Sequence, residues 1–118
     1  MHANVFDFSQ LLARSRERYL EFVRVPSFTV GIYVLEAGAT DHQKPHAEDE
    51  VYYVTKGRAR MKIGSGGSTE TFEVGSGTII FVPARVHHVF YEITERLELL
   101  VLFGPKDPDR RAGFIGSW

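Results

Sequence analysis

Glycine and proline turns break most of this chain into short runs rich in β-branched and aromatic residues. That rhythm restricts the fold more than any other feature of the sequence. "FTVGIYVLEAG" stops at Gly38, and "EVYYVTKG" stops at Gly57. "RARMKI" alternates cleanly, with Arg58, Arg60 and Lys62 on one side and Ala59, Met61 and Ile63 on the other. The glycines of "GSGGS" (64–68) tolerate the positive φ of a hairpin turn. "TFEV" and "TIIFV" follow, a turn comes at Pro83-Ala84-Arg85, and "HHVFYEI" and "LELLVLF" precede Gly104-Pro105. Roughly eight short strands, with turn signals about every eight to twelve residues, predict an all-β sandwich or barrel rather than an α/β fold. One short helix is expected ahead of them, over residues 9–16. Asp7 or Ser9 would cap it, with Phe8, Leu11 and Leu12 at i, i+3 and i+4.

With 118 residues the chain reads as one domain whose core needs no covalent staples. A net charge of -1 and scattered basic residues predict no nucleic-acid partner and no attraction to an acidic membrane. The absence of cysteine excludes thiolate catalysis, disulfides and sulfur-ligated zinc, and makes a reducing cytoplasm the expected location. "MHANVFDFSQ" has neither the basic start nor the apolar run of a secretion signal, and no apolar stretch approaches membrane-spanning length. The tail "PKDPDRRAGFIGSW" is polar until Phe114, Ile115 and Trp118. It reads either as a frayed terminus or as apolar groups that pack on a neighbouring subunit or cover a pocket mouth.

Four of the five histidines fall in two short stretches, "DHQKPHAEDE" and the His87-His88 pair after the Pro83 turn. With Glu50 in reach, these imidazoles have the makings of a mononuclear metal site that keeps an open position. If the first stretch enters a strand, Lys44, His46, Glu50 and Tyr52 share a parity, which a bulge in "AED" would disturb. Parity also separates the adjacent pair, because His88, Phe90 and Glu92 share one face and His87, Val89 and Tyr91 the other. Only one of the two is therefore expected to be a ligand. A histidine bonded to backbone is the bland alternative, but a carboxylate buried in a strand at Glu50 needs a partner. Glu92 either orients a ligand or pairs with an arginine. Tyr33, Tyr52 and Phe90 read first as core aromatics.

These spacings resemble the two motifs of the cupin family. The first runs Gly, five residues, His-x-His, three or four residues, Glu, six residues, Gly. Gly38, His46, Glu50 and Gly57 fit it, and Lys44 stands where the first histidine is expected. The second runs Gly, five residues, Pro-x-Gly, two residues, His, three residues, Asn. Gly77, Pro83 and His88 fall on register, with Arg85 in place of the glycine and Glu92 in place of the asparagine. The resemblance implies a jelly-roll β-barrel spanning 1–118, with its motif-bearing core at about 30–104. It also implies a homodimer, and one divalent transition metal (Zn, Fe, Ni or Mn) held by His46, Glu50 and His88. A fourth ligand is sought in His42 or Gln43. Lys44, a poor ligand while protonated, would place an ammonium beside the site, to bind a substrate carboxylate or to replace the metal's charge. Lys44 and Tyr52 are the candidate catalytic groups.

Three functions suit this set. The first is a metal-dependent oxygenase or lyase acting on a small polar molecule. The second is a protein that binds a metal or small ligand, or senses it, without chemistry. The third is a metal-free isomerase or epimerase with His46 or His88 as base. The fold alone does not choose among them.

Overall fold

The computed structural model describes residues 1–105. The tail residues Phe114, Ile115 and Trp118 lie outside the described residues. As expected, the fold is all-β with one short N-terminal helix. The helix, α1 (Val5–Ala13), begins four residues before the expected start, because the cap is Asn4 rather than Asp7 or Ser9. Its carboxamide accepts the Phe6 N–H at 2.9 Å. Leu11 is exposed, so the buried stripe is formed by Val5, Phe8 and Leu12. That stripe packs on Ile32, Val34, Leu20 and Phe22 in a small satellite core, where the Phe8 and Phe22 rings stack at 4.6 Å.

Six strands follow: β1 (Tyr19–Val25), β2 (Phe28–Leu35), β3 (Glu50–Ile63), β4 (Glu70–Gly75), β5 (Ile79–Val82) and β6 (His88–Phe103). All pairings are antiparallel, in the order β1-β2-β6-β3-β4, and β5 pairs with the first residues of β3. β1 goes beyond the expectation; Glu21 and Arg24 interrupt its apolar pattern. Fewer, longer strands replace the roughly eight short ones. "EVYYVTKG" and "RARMKI" are one strand, as are "HHVFYEI" and "LELLVLF".

Gly57 therefore marks a bend within β3 rather than a break. The β3–β6 register shifts around it, its φ is 101°, and a side chain there would collide with the Arg96 carbonyl. Glu92, on β6, has a φ of 47° where the register with β3 shifts between Arg58 and Arg60. The main core, including Tyr52, Val54, Met61, Phe90, Leu97 and Leu99, lies against the inner faces of β3 and β6. Arg58, Arg60 and Lys62 face outward as the alternation requires, with Arg60 hydrogen-bonded to the Tyr91 hydroxyl at 3.1 Å. Among the described residues no helix is long and apolar enough to cross a membrane.

Candidate metal centre

Glu50 opens β3 and His88 opens β6, so the sheet itself fixes both. Glu50 pairs with Val82 on one side and Phe103 on the other, and His88 pairs with Ile63. Both side chains are about 1% exposed. His46 comes from the loop ahead of β3, not from the strand, so the parity argument does not govern it. Its place is set by its carbonyl, which accepts the Arg85 N–H at 2.6 Å, and by edge contact with the Phe103 ring at 5.1 Å. One ligand atom from each of His46, Glu50 and His88 can be chosen so that all lie within 4.8 Å of one another.

His88 Nε2 is 2.8 Å and His46 Nε2 is 3.9 Å from Glu50 Oε1. The close approach of His88 is not a well-directed hydrogen bond. Nε2 and both carboxylate oxygens are buried without a hydrogen-bond partner. Atoms that converge without bonding one another fit a cation placed between them. Nδ1 of His88 faces the Val86 carbonyl at 3.0 Å. A carbonyl only accepts, so the proton of the neutral ring sits on Nδ1 and Nε2 offers its lone pair to the cluster. Burial lowers the pKa of His88. Glu50, the Val86 carbonyl and Asp41 more than offset this, leaving it above the ordinary 6.5.

Gln43 supplies a further oxygen. Its Oε1 accepts the Tyr52 hydroxyl at 2.8 Å and lies 3.4 Å from His46 Nε2. The other expected neighbours stay out. His42 and Lys44 are exposed, and neither lines the adjoining cavity. His87 is exposed while His88 is buried, as parity requires. Glu92 is exposed and takes no part in the site. Asp41, which the sequence did not single out, is buried behind Gln43. A lone acid in a loop carries no local signal of burial, and only the fourth-ligand candidates His42 and Gln43 pointed to this stretch.

A cavity of about 320 Å³ opens onto Gln43, His46 and Glu50, with walls that include Tyr19, Tyr33, Tyr52 and Phe103. Burial first, and the charge of Glu50 second, hold the Tyr52 pKa well above that of a free tyrosine. Burial and Asp41 do the same for Tyr33, and Tyr19 is pushed up to about 12, chiefly by burial. All three are phenols at neutral pH, so they act as donors rather than bases. A larger cavity of about 590 Å³ opens beside Arg24 and Phe28 and shares Glu48 and Phe103 with the first. None of the three clustered donors lines it, whereas His46 and Glu50 line the smaller cavity.

Residues 31–103 match the family model of the cupin domain. The chain is a cupin. This cupin is 48% identical over 89 residues to an uncharacterised protein of Streptomyces coelicolor, a match covering 75% of this chain and 81% of that protein. Among solved structures it resembles an RmlC-like cupin family protein with a double-stranded β-helix fold from Methanocaldococcus jannaschii. The TM-score is 0.64 at 19% identity, covering 75% of this chain and 79% of that one. It also resembles Fe(II)-HppE solved with an alternative substrate, at TM-score 0.61 and 21% identity over 72% of this chain and 48% of that one. At those identities the likeness is one of fold. Oxalate decarboxylase of Bacillus subtilis, in a structure concerned with its Mn(II) centres, aligns at TM-score 0.63 and 26% identity. That match covers 69% of this cupin and 22% of the decarboxylase.

Proposed function

We propose that this cupin binds one divalent transition metal through His46, Glu50 and His88. It would use that metal in an oxygenase- or lyase-type reaction on a small polar molecule held in the tyrosine-walled cavity. One observation carries the reading: both oxygens of Glu50 and Nε2 of His88 are buried without hydrogen-bond partners and converge on one another. The Fe(II) and Mn(II) named for two structural relatives support it. When bound, the metal supplies Lewis acidity and, where redox-active, electrons. The chain's own residues do the rest. Val86 keeps the Nε2 lone pair of His88 available, and the rings of Tyr19, Tyr33, Tyr52 and Phe103 wall the cavity. Tyr52 holds a proton beside Gln43, at the edge of the cavity. Lys44 faces solvent, so binding of a substrate carboxylate by its ammonium drops out of the mechanism.

A second reading is a metal or small-ligand binding protein without chemistry. It is favoured by the commitment of two tyrosine hydroxyls, Tyr33 to Asp41 and Tyr52 to Gln43, which leaves few free acid–base groups in the cavity.

Metal content by mass spectrometry tests both, on protein purified without added metal or an affinity tag. About one equivalent is expected in the native chain and almost none in the His46→Ala/His88→Ala double mutant. His87→Ala should match the native protein, and His88→Ala should lose most of its metal. No metal even after reconstitution would overturn the reading and turn attention to a metal-free isomerase.

A further inference from the structure

Where the cupin motif places its first metal-binding histidine, this chain has Lys44, and Lys44 faces solvent. The side chain that reaches the donor cluster instead is Gln43, one residue earlier. We propose that Asp41 is a positioning residue that locks the Gln43 carboxamide with its oxygen towards the metal. The donor set would then be two imidazoles, a carboxylate and an amide oxygen, which biases the site towards harder cations such as Mn(II) and away from Zn(II). The inference rests on the metal-binding reading above and adds the fourth ligand, its support and its metal preference.

The lock follows from what each atom can do. An amide nitrogen only donates and an amide oxygen only accepts, while an ionised carboxylate only accepts. Gln43 Nε2 is 2.8 Å from Asp41 Oδ2, which assigns the nitrogen to that side and sends Oε1 the other way. There Oε1 accepts the Tyr52 hydroxyl at 2.8 Å and sits 3.4 Å from His46 Nε2. A carbonyl oxygen has two lone pairs, so one remains for a cation.

Asp41 is itself held at four points. Oδ1 accepts the Tyr33 hydroxyl at 2.8 Å and the Gln43 N–H at 3.3 Å. Oδ2 accepts Gln43 Nε2 at 2.8 Å and the Phe90 N–H at 2.9 Å. Four donors fill a carboxylate, so Asp41 is no ligand despite being only 8% exposed. The Phe90 bond also ties the loop to β6 two residues from His88, so one acid aligns donors from both motifs. The metal preference follows from the donor atoms, because imidazole suits zinc, copper and nickel, whereas carboxylate and carbonyl oxygens suit manganese.

Chelator-competition titrations of Mn(II) and Zn(II) test this, run on the wild type and on Gln43→Ala, Gln43→His and Asp41→Asn, with melting curves of each metal-free protein. Gln43→Ala should weaken Mn(II) binding by about 10–100-fold, and Zn(II) binding by less. Asp41→Asn keeps the shape but cannot accept on both side-chain atoms. It should reproduce that selective loss although Gln43 is still present. Gln43→His should move the preference towards zinc. Unchanged Mn(II) affinity in Gln43→Ala would overturn the inference while leaving the three-residue site intact. So would equal losses of both metals that merely follow a fall in melting temperature. A wild-type protein that binds neither ion would overturn the proposed function itself, and this inference with it.

Discussion

Two glutamates are buried in this sheet, and the fold treats them in opposite ways. Glu98, on β6 beneath the helix, is 5% exposed and has protein partners on its Oε1. It accepts from the Ser9 hydroxyl of α1 and from Arg96 Nε at 3.3 Å, and Arg96 also pairs with Glu36. Glu50, at the other end of the core, is 1% exposed, and neither of its oxygens has a hydrogen-bond partner. A buried carboxylate costs several kcal/mol unless charge and hydrogen bonds offset it. For Glu98 the protein supplies the offset, and the acid thereby pins the helix to the sheet. For Glu50 the protein brings up two imidazoles and no hydrogen bond. Burial alone therefore does not distinguish the two acids; their partners do.

The strongest way to break this contrast is to neutralise Glu50. Glu50→Gln should weaken metal binding by about 100-fold or more, at or beyond the upper end of what outer-shell changes cost. The metal-free variant should melt no lower than the wild type, since an under-compensated charge is gone. A large loss of metal-free stability would mean that Glu50 is structural after all. Glu98→Ala should show the reverse pattern, losing about 1–3 kcal/mol in urea denaturation while its metal stoichiometry stays unchanged.

A pH series sharpens the comparison at the metal end. The pKa of His88 is raised in the folded protein. The stability this contributes without metal is fully present below the ordinary 6.5 and lost as pH rises through the raised value. Metal binding needs the neutral ring, so it strengthens over the same range. The melting temperature of the metal-free protein should fall as pH climbs past 6.5, while the increment produced by Mn(II) grows. His88→Asn should flatten both trends; trends that persist in that variant would assign them to other groups.

The smallest expected effect lies at Arg85. It stands in place of a motif glycine yet keeps a φ of 67°, in the left-handed region. Arg85→Gly should stabilise the protein by about 1 kcal/mol at most, because relief of that strain is partly cancelled by the freer unfolded chain. Metal content should not change, since the bond Arg85 makes to His46 comes from its backbone N–H. A destabilised Arg85→Gly would show that the arginine side chain contributes something beyond this turn.

Local chemistry made much of the molecule legible in the sequence. The alternation in "RARMKI" announced which residues would face the core, and Ala59 and Met61 are buried there. The spacing of the two motifs brought His46, Glu50 and His88 forward as a set, and parity separated His88 from His87. Such patterns survive in one dimension because strand periodicity and motif register are short-range properties.

What only the tertiary structure decided depends on partners far away in the chain. Gly57 reads locally as a stop, but the Arg96 carbonyl against it shows a strand that bends and continues. Lys44 holds the motif position, yet Gln43 faces the site. Asp41 turns it there while held by the Phe90 N–H, 49 residues away. The orientation of a loop side chain is set by such distant hydrogen bonds, which impose no period on the residues around them. The sequence could therefore name the candidate donors, but only the folded chain could show which atoms converge on one another and which hold them in place.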